Sequence, residues 1–307
     1  MRFFVIDIFK AVAAQLIVLH HLVAYGPIAD AVQIATPAVV SWLYEYGRMA
    51  VQVFLVVSGY LAARTFAAQS ANNGSFLIAI GNRYLRLVLP FLVALVLSCL
   101  VAALVRPWFI DDSVPAAPGF LQALAHVFLL HGVLKFDSLS AGAWYVAIDF
   151  QLFVLYAILA WRGRPPVIAA RWALVPVIIV TVISLFHFNR DASFDNWAVY
   201  FFGAYGLGAL GFHISQSQRP RLGLSLLVLV TGMALWVEFR ERIAVALAVT
   251  IALVVLRHLS INRHTYFARA ANYFGLNSYA LFLVHFPLCL LSNAVFAWLG
   301  FEGPVAG

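Results

Sequence analysis

The chain has 307 residues, of which 64% are hydrophobic and only 10% charged, with a mean hydropathy of +0.95. So few charges cannot wet the surface of a soluble domain, so the composition excludes one and specifies a polytopic integral membrane protein in a lipid bilayer. The net charge of +7 falls mostly in alternate loops, where it reads as membrane topology and gives no indication of nucleic acid as a partner.

A bilayer core about 30 Å thick takes roughly 20 apolar residues per helix. On that ruler the sequence predicts an all-α transmembrane helix bundle, with crossings near 4–25, 46–67, 84–105, 143–161, 172–188, 197–214, 222–238, 242–258 and 275–297. Asp7, Lys10, His20 and His21 interrupt the first apolar stretch, and no small-residue cleavage site stands out near its end. That helix is therefore expected to stay in place. A shorter stretch, 120–134, carries His126 and His131 and reads as a re-entrant element. With a cytoplasmic N-terminus and nine crossings, the loops holding Arg64, Arg83 and Arg86, then Arg162, Arg164 and Arg171, then Arg219 and Arg221, then Arg257, Arg263 and Arg269 all face the cytoplasm. A tenth crossing would reverse every later loop and bring the acidic "NRDASFDN" and "EFRE" inside. No repeat or soluble domain breaks the pattern, so 1–307 reads as one membrane domain. Cys99 and Cys289 lie in apolar segments and read as packing residues, with no disulfide or metal site.

The first helix places ionisable groups along its length. At 100° per residue Lys10 and His21 lie about 20° from one line and about 16 Å apart along the axis, and Asp7 falls within about 40° of that line. The three form a polar stripe facing a bundle interior, whereas His20 points elsewhere. Asp7 and Lys10 can equally be interfacial anchors, but an intramembrane histidine is expensive and tends to be functional. In "GNRYLRLVLP", Arg83 and Arg86 share a helix face and suit a polyphosphate through bidentate hydrogen bonds, or serve as positive-inside anchors. Asp149, in "AGAWYVAIDFQLFVLY", is a carboxylate well inside an apolar segment and needs a partner. His21 is one candidate, since a carboxylate on one imidazole nitrogen raises the basicity of the other. In "LNSYALFLVHFP", Ser278 and His285 are close to two turns apart and share a face, and in "VFLVVSGYLAAR" Gly59 permits close approach of a neighbouring helix or a ligand.

From Asp7 to about Pro287 these residues resemble the acyltransferase-3 superfamily of integral membrane acyltransferases. Its opening motif, an aspartate, two residues, an arginine, ten residues and a histidine, is matched by Asp7, Lys10 and His21, with lysine replacing the arginine. Its spaced arginine pair matches Arg83 and Arg86, and its "SGY" matches Ser58 to Tyr60. Its tryptophan with a later acid and glutamine matches Trp144, Asp149 and Gln151, although the usual acid is glutamate. Its closing serine-tyrosine with a later histidine and proline matches Ser278, Tyr279, His285 and Pro287. Lysine cannot reproduce a bidentate arginine contact. Family members usually carry one more hydrophobic helix after the closing motif, so either this sequence is truncated or its bundle is one helix short. It also has no fused periplasmic hydrolase-like domain of the kind some members carry.

The resemblance implies O-acyl transfer, most often O-acetyl transfer, from cytoplasmic acyl-CoA to a hydroxyl of a carbohydrate, typically a cell-surface glycan or its lipid-linked precursor. It implies acetyl-CoA as donor, no metal, residence in the bacterial cytoplasmic membrane and glycan-assembly proteins as partners. Arg83, Arg86 and Lys10 are then expected to hold the CoA phosphates. His21 would act as general base or carry the acyl group, oriented by Asp149, and Ser278, Tyr279 or Tyr60 would donate to the oxyanion. Trp144, Tyr60 and His285 are expected to contact substrate. Two rivals belong to other classes. Histidines and a carboxylate lining a bundle also make the proton relay of a proton-coupled small-molecule transporter, although no inverted repeat is present. A non-catalytic scaffold for glycan assembly would leave substitutions on the polar face silent.

Overall fold

The computed structural model describes residues 4–71, 75–160, 174–258 and 265–300. The loop cations Arg162, Arg164, Arg171 and Arg263 lie outside the described residues, as does the tail 301–307. The regular elements among the described residues are helical throughout: α1 (Phe4–Leu22), α2 (Gly26–Ala35), α3 (Pro37–Tyr46), α4 (Ala50–Ala71), α5 (Phe76–Val105), α6 (Phe120–Val127), α7 (Ala143–Ala160), α8 (Val175–Phe186), α9 (Ala198–Gln216), α10 (Pro220–Val237), α11 (Glu241–Val255) and α12 (Tyr266–Trp298). Proline stands in the first turn of α2, α3, α8 and α10, where its missing N–H is an orphan in any case.

Seven helical stretches are long and apolar enough to span a bilayer: α1, α5, α7, α9, α10, α12 and the run Pro37–Ala68. That run joins α3 to α4 through the 3₁₀ turn Gly47–Met49. The fold is an all-α polytopic bundle, and each of these seven coincides with one of the nine expected crossings. The expected crossings at 172–188 and 242–258 are realised as α8 and α11, of 12 and 15 residues. At about 1.5 Å per residue both fall short of the apolar core. Helix α6 has eight residues and ends at His126–Val127, so the stretch read as re-entrant does not cross as a helix.

The chain packs as two compact units, each assembled from three segments. The first collects Met1–Lys10, Gln52–Leu85 and Ile148–Asn272, the second Ala11–Val51, Arg86–Ala147 and Tyr273–Gly307. In the first unit α9 is the hub, with Tyr200–Ala209 buried throughout. Its small residues let neighbours approach to backbone contact. A Cβ added at Gly208 would lie 1.9 Å from the carbonyl oxygen of Val56, and one at Gly59 would lie 2.0 Å from that of Tyr205. The glycine of "SGY" thus exists because α4 and α9 cross there with no side chain between them. On another side of α9, Gly206 abuts the Thr181 hydroxyl of α8.

In the second unit, Ala102, Val105 and Phe109 at the end of α5 pack on Leu290 and Ala294 of α12. Pro90 inside α5 removes the amide hydrogen that would bond the Arg86 carbonyl, and the adjacent Leu87 carbonyl accepts the Tyr279 hydroxyl at 2.8 Å. Asn293 of α12 ties down the turn between α1 and α2. Its Oδ1 accepts from Ile28 N at 2.9 Å, and its Nδ2 donates to the carbonyls of Cys289 (3.0 Å) and Tyr25 (3.2 Å). Gly26 lies in that turn at φ +75°, with Asn293 where a side chain would go, so only glycine fits.

Candidate active site

A cavity of about 670 Å³ lies within the second unit and takes His21 into its wall, together with His20, Tyr25 and Trp144. His21 is 9% exposed near the end of α1, and its ring stacks on Tyr25 at 5.6 Å with 8° between planes. Its Nδ1 lies 2.9 Å from the Ile17 carbonyl and 3.0 Å from Nε2 of His285, whose own Nδ1 lies 2.6 Å from the Phe282 carbonyl. His20, on the next position, turns its Nδ1 to the Leu43 carbonyl of α3 at 3.1 Å. The cavity wall also holds Arg48, Asp112 and Asp137. A cavity of this size, with an aromatic platform, two carboxylates, a guanidinium and two imidazoles, has the chemistry to hold a polyhydroxylated molecule against a base.

The loops that supply these carboxylates are ordered by their own hydrogen bonds. Asp111 Oδ1 accepts from the Ser113 amide at 2.8 Å and hydroxyl at 2.5 Å, an Asx turn that presents Asp112. Gln122 at the start of α6 donates to the Asp137 carbonyl at 2.9 Å. His126 donates from Nδ1 to the Gln122 carbonyl at 2.8 Å and accepts the Leu139 amide on Nε2 at 3.2 Å. Its ring lies flat against His131, with centroids 4.0 Å apart and planes 4° apart. Of the two histidines in 120–134, His126 is therefore a loop staple, while His131 contributes its ring alone, with neither nitrogen hydrogen-bonded among the described residues.

Asp149 belongs to a separate cluster in the first unit. Its carboxylate accepts from the Ser58 hydroxyl and from the Arg83 guanidinium, which also donates to Ser58 Oγ at 2.9 Å and lies over the Phe153 ring. This corrects the pairing of Asp149 with His21 expected from sequence. A carboxylate 2% exposed needs a full counter-charge, and Arg83 supplies one where a neutral imidazole would not. The same contact takes Arg83 into an ion pair, where sequence alone gives it to a phosphate. Arg86 is exposed, and Lys10 is half-buried beside the buried Asp7.

The three hydroxyls expected at an oxyanion also have other engagements. Ser278 donates to the Gly275 carbonyl at 3.0 Å and Tyr279 to Leu87, while Tyr60, 2% exposed, lies against Phe212 with its hydroxyl 3.4 Å from Ser215 Oγ. In a span without water each hydroxyl turns to the nearest acceptor, which here is backbone or a neighbouring hydroxyl. Of the residues expected at the site, His21, His285 and Trp144 come together in the second unit. Tyr25, Arg48, Asp112, Asp137 and Asn293 are absent from the sequence expectation. Asn293 carried a usable signal, a carboxamide two turns and a little beyond His285 on the same apolar helix. The loop carboxylates carried none, because a charged loop residue is unremarkable in any membrane protein.

A family model described as an acyltransferase domain matches residues 4–305, nearly the whole chain. No curated protein and no solved structure matches it.

Proposed function

Because the chain belongs to the acyltransferase-3 family of integral membrane acyltransferases, we propose that it is an O-acetyltransferase, moving an acetyl group from acetyl-CoA to a hydroxyl of a carbohydrate. The observation that carries this reading is the His21 imidazole in the wall of the 670 Å³ cavity, beside Trp144, Asp112 and Asp137. Indole and carboxylate are the groups that take the apolar face and the hydroxyls of a sugar ring. In the reaction, Nε2 of His21 accepts the proton of the acceptor hydroxyl as that oxygen attacks the thioester carbonyl. The C–S bond breaks on collapse of the tetrahedral intermediate, and the proton passes to the departing sulfur to give free CoA thiol and a carbohydrate ester. Arg86, exposed and without a partner among the described residues, is the cation for a donor phosphate. The acceptor is a cell-surface glycan or its lipid-linked precursor. The enzyme works in the bacterial cytoplasmic membrane with its N-terminus in the cytoplasm and meets its acceptor through glycan-assembly proteins.

The test is release of CoA thiol from acetyl-CoA by protein in nanodiscs, with a membrane glycan extract as acceptor. Acceptor-dependent release by the wild type, lost by at least 10³-fold in His21→Ala at unchanged gel-filtration profile, is expected. Equal release from both proteins removes His21 from the mechanism. A proton-coupled transporter consumes no thioester, so proton uptake with intact acetyl-CoA would replace the reading.

A further inference from the structure

We infer that His285 is the positioning residue for His21, occupying the place that a carboxylate takes in a serine-hydrolase triad; this rests on the acyltransferase reading of His21 above. The inference follows from hydrogen counting along one chain of atoms. A carbonyl oxygen can only accept, so the 2.6 Å contact with Phe282 requires a hydrogen on Nδ1 of His285. A neutral imidazole carries one N–H, so Nε2 of His285 holds a lone pair. The nitrogen 3.0 Å away, Nδ1 of His21, must then donate to it. The Ile17 carbonyl at 2.9 Å imposes the same requirement, because it too can only accept from that nitrogen. Two carbonyls at the two ends and one N–H···N bond between them leave a single consistent arrangement, in which the lone pair of His21 stands on Nε2.

Reaction needs that arrangement. The nitrogen that takes a proton from an acceptor hydroxyl must begin bare, and the opposite nitrogen must keep its hydrogen bond as positive charge develops on the ring. When Nε2 of His21 is protonated, its Nδ1–H bond to His285 becomes charge-assisted and strengthens. His285, 4% exposed, has its ring centroid 4.7 Å from that of His21 and is held from behind by its own helix, so it supports the base without being consumed. With Asp149 bound by Arg83 and Ser58, an imidazole does what a carboxylate was expected to do.

Two measurements test this. The first is ¹⁵N NMR of histidine-labelled protein in nanodiscs, assigned with His21→Ala and His285→Leu. Protonated Nδ1 and bare Nε2 on both rings, with a coupling across the N–H···N bond between them, is expected; a protonated Nε2 on His285 or no coupling overturns the inference. The second is turnover of acetyl-CoA with the glycan extract titrated as acceptor. His285→Leu is expected to lower kcat about 100-fold with the apparent KM within twofold, the loss of one charge-assisted hydrogen bond in the transition state. His285→Gln, whose side-chain oxygen accepts near the position of Nε2, is expected to recover at least tenfold of that loss. A rise in KM at constant kcat would make His285 a substrate contact, and equal losses in both variants a packing residue; either overturns the positioning role. A wild type that releases no thiol overturns the acyltransferase reading and the role together, while the NMR coupling still reports whether the bond exists.

Discussion

A methyl group added at Gly59 meets the Tyr205 carbonyl at 2.0 Å, and one added at Gly81 meets nothing within 4 Å. The first contact is with backbone, so neither partner can rotate away, and Gly59→Ala must drive α4 from α9 at a cost of about 3 kcal/mol or more. Gly81→Ala relieves the entropy of a mid-helix glycine and gains about 0.5–1 kcal/mol. Thermal unfolding in detergent should show opposite shifts for the two variants. Asp149→Asn is expected to lower the midpoint further than Ser58→Ala, because it strands the Arg83 charge, while Ser58→Ala removes two hydrogen bonds of about 1 kcal/mol each and leaves the ion pair in place. At this scale the sequence is a good guide to which residues matter and a poor guide to whom they touch. His21, Asp149 and Arg83 stand out because ionisable groups in apolar segments are costly. Which cation meets which anion depends on how helices pack, and one chain carries no trace of that. The glycine of "SGY" was legible as a close approach, but the element approaching it was not.

Helices long enough to span were legible in place but not in length, since hydropathy marks the apolar core directly, whereas α5 and α12 begin at Phe76 and Tyr266, well before the crossings expected at 84 and 275. The shortfall lies in α8 and α11, where apolar sequence continues into loop or 3₁₀ turn and hydropathy cannot tell a helix from its apolar continuation. The turn from α1 to α2 was not legible at all. It is held by Asn293 from a helix far along the chain, and it sets the position of Tyr25 against His21. Asn293→Ala should cost about 1–3 kcal/mol by stranding the Ile28 amide and the Tyr25 carbonyl, and should slow turnover as the Tyr25 stack loosens. Asn293→Asp puts a buried carboxylate against the carbonyls of Tyr25 and Cys289, and should lower the melting temperature further than alanine does. The loop after α6 is pinned in a comparable way by His126, so His126→Leu should raise the apparent acceptor KM by releasing Asp137 while leaving the His21–His285 bond intact.

For the whole molecule, the described loop cations Arg219 and Arg221 and the acidic loop around Asp191 and Asp195 stand at opposite ends of α9 in the sequence. With a cytoplasmic N-terminus and α8 crossing, Asp195→Cys should react with a membrane-impermeant maleimide added outside intact cells, and Gln218→Cys only after the membrane is opened. The reverse pattern would mean either the inverted orientation or that α8, at 12 residues, does not cross.

The interleaving of the two units bears on how the protein is made. Neither unit is a continuous stretch, and the second is completed only by its last segment, Tyr273–Gly307. His21 emerges early in synthesis, whereas its hydrogen-bonding partner His285 follows 264 residues later, with Asn293 later still. Until then the His21 imidazole has only the Ile17 carbonyl of its own helix to bond, and contacts of such sequence separation are slow to form. Nascent chains stalled before α12 should consequently be substrates for membrane proteases and insertion chaperones. The pair of His21 and His285 therefore stays unassembled until α12 arrives.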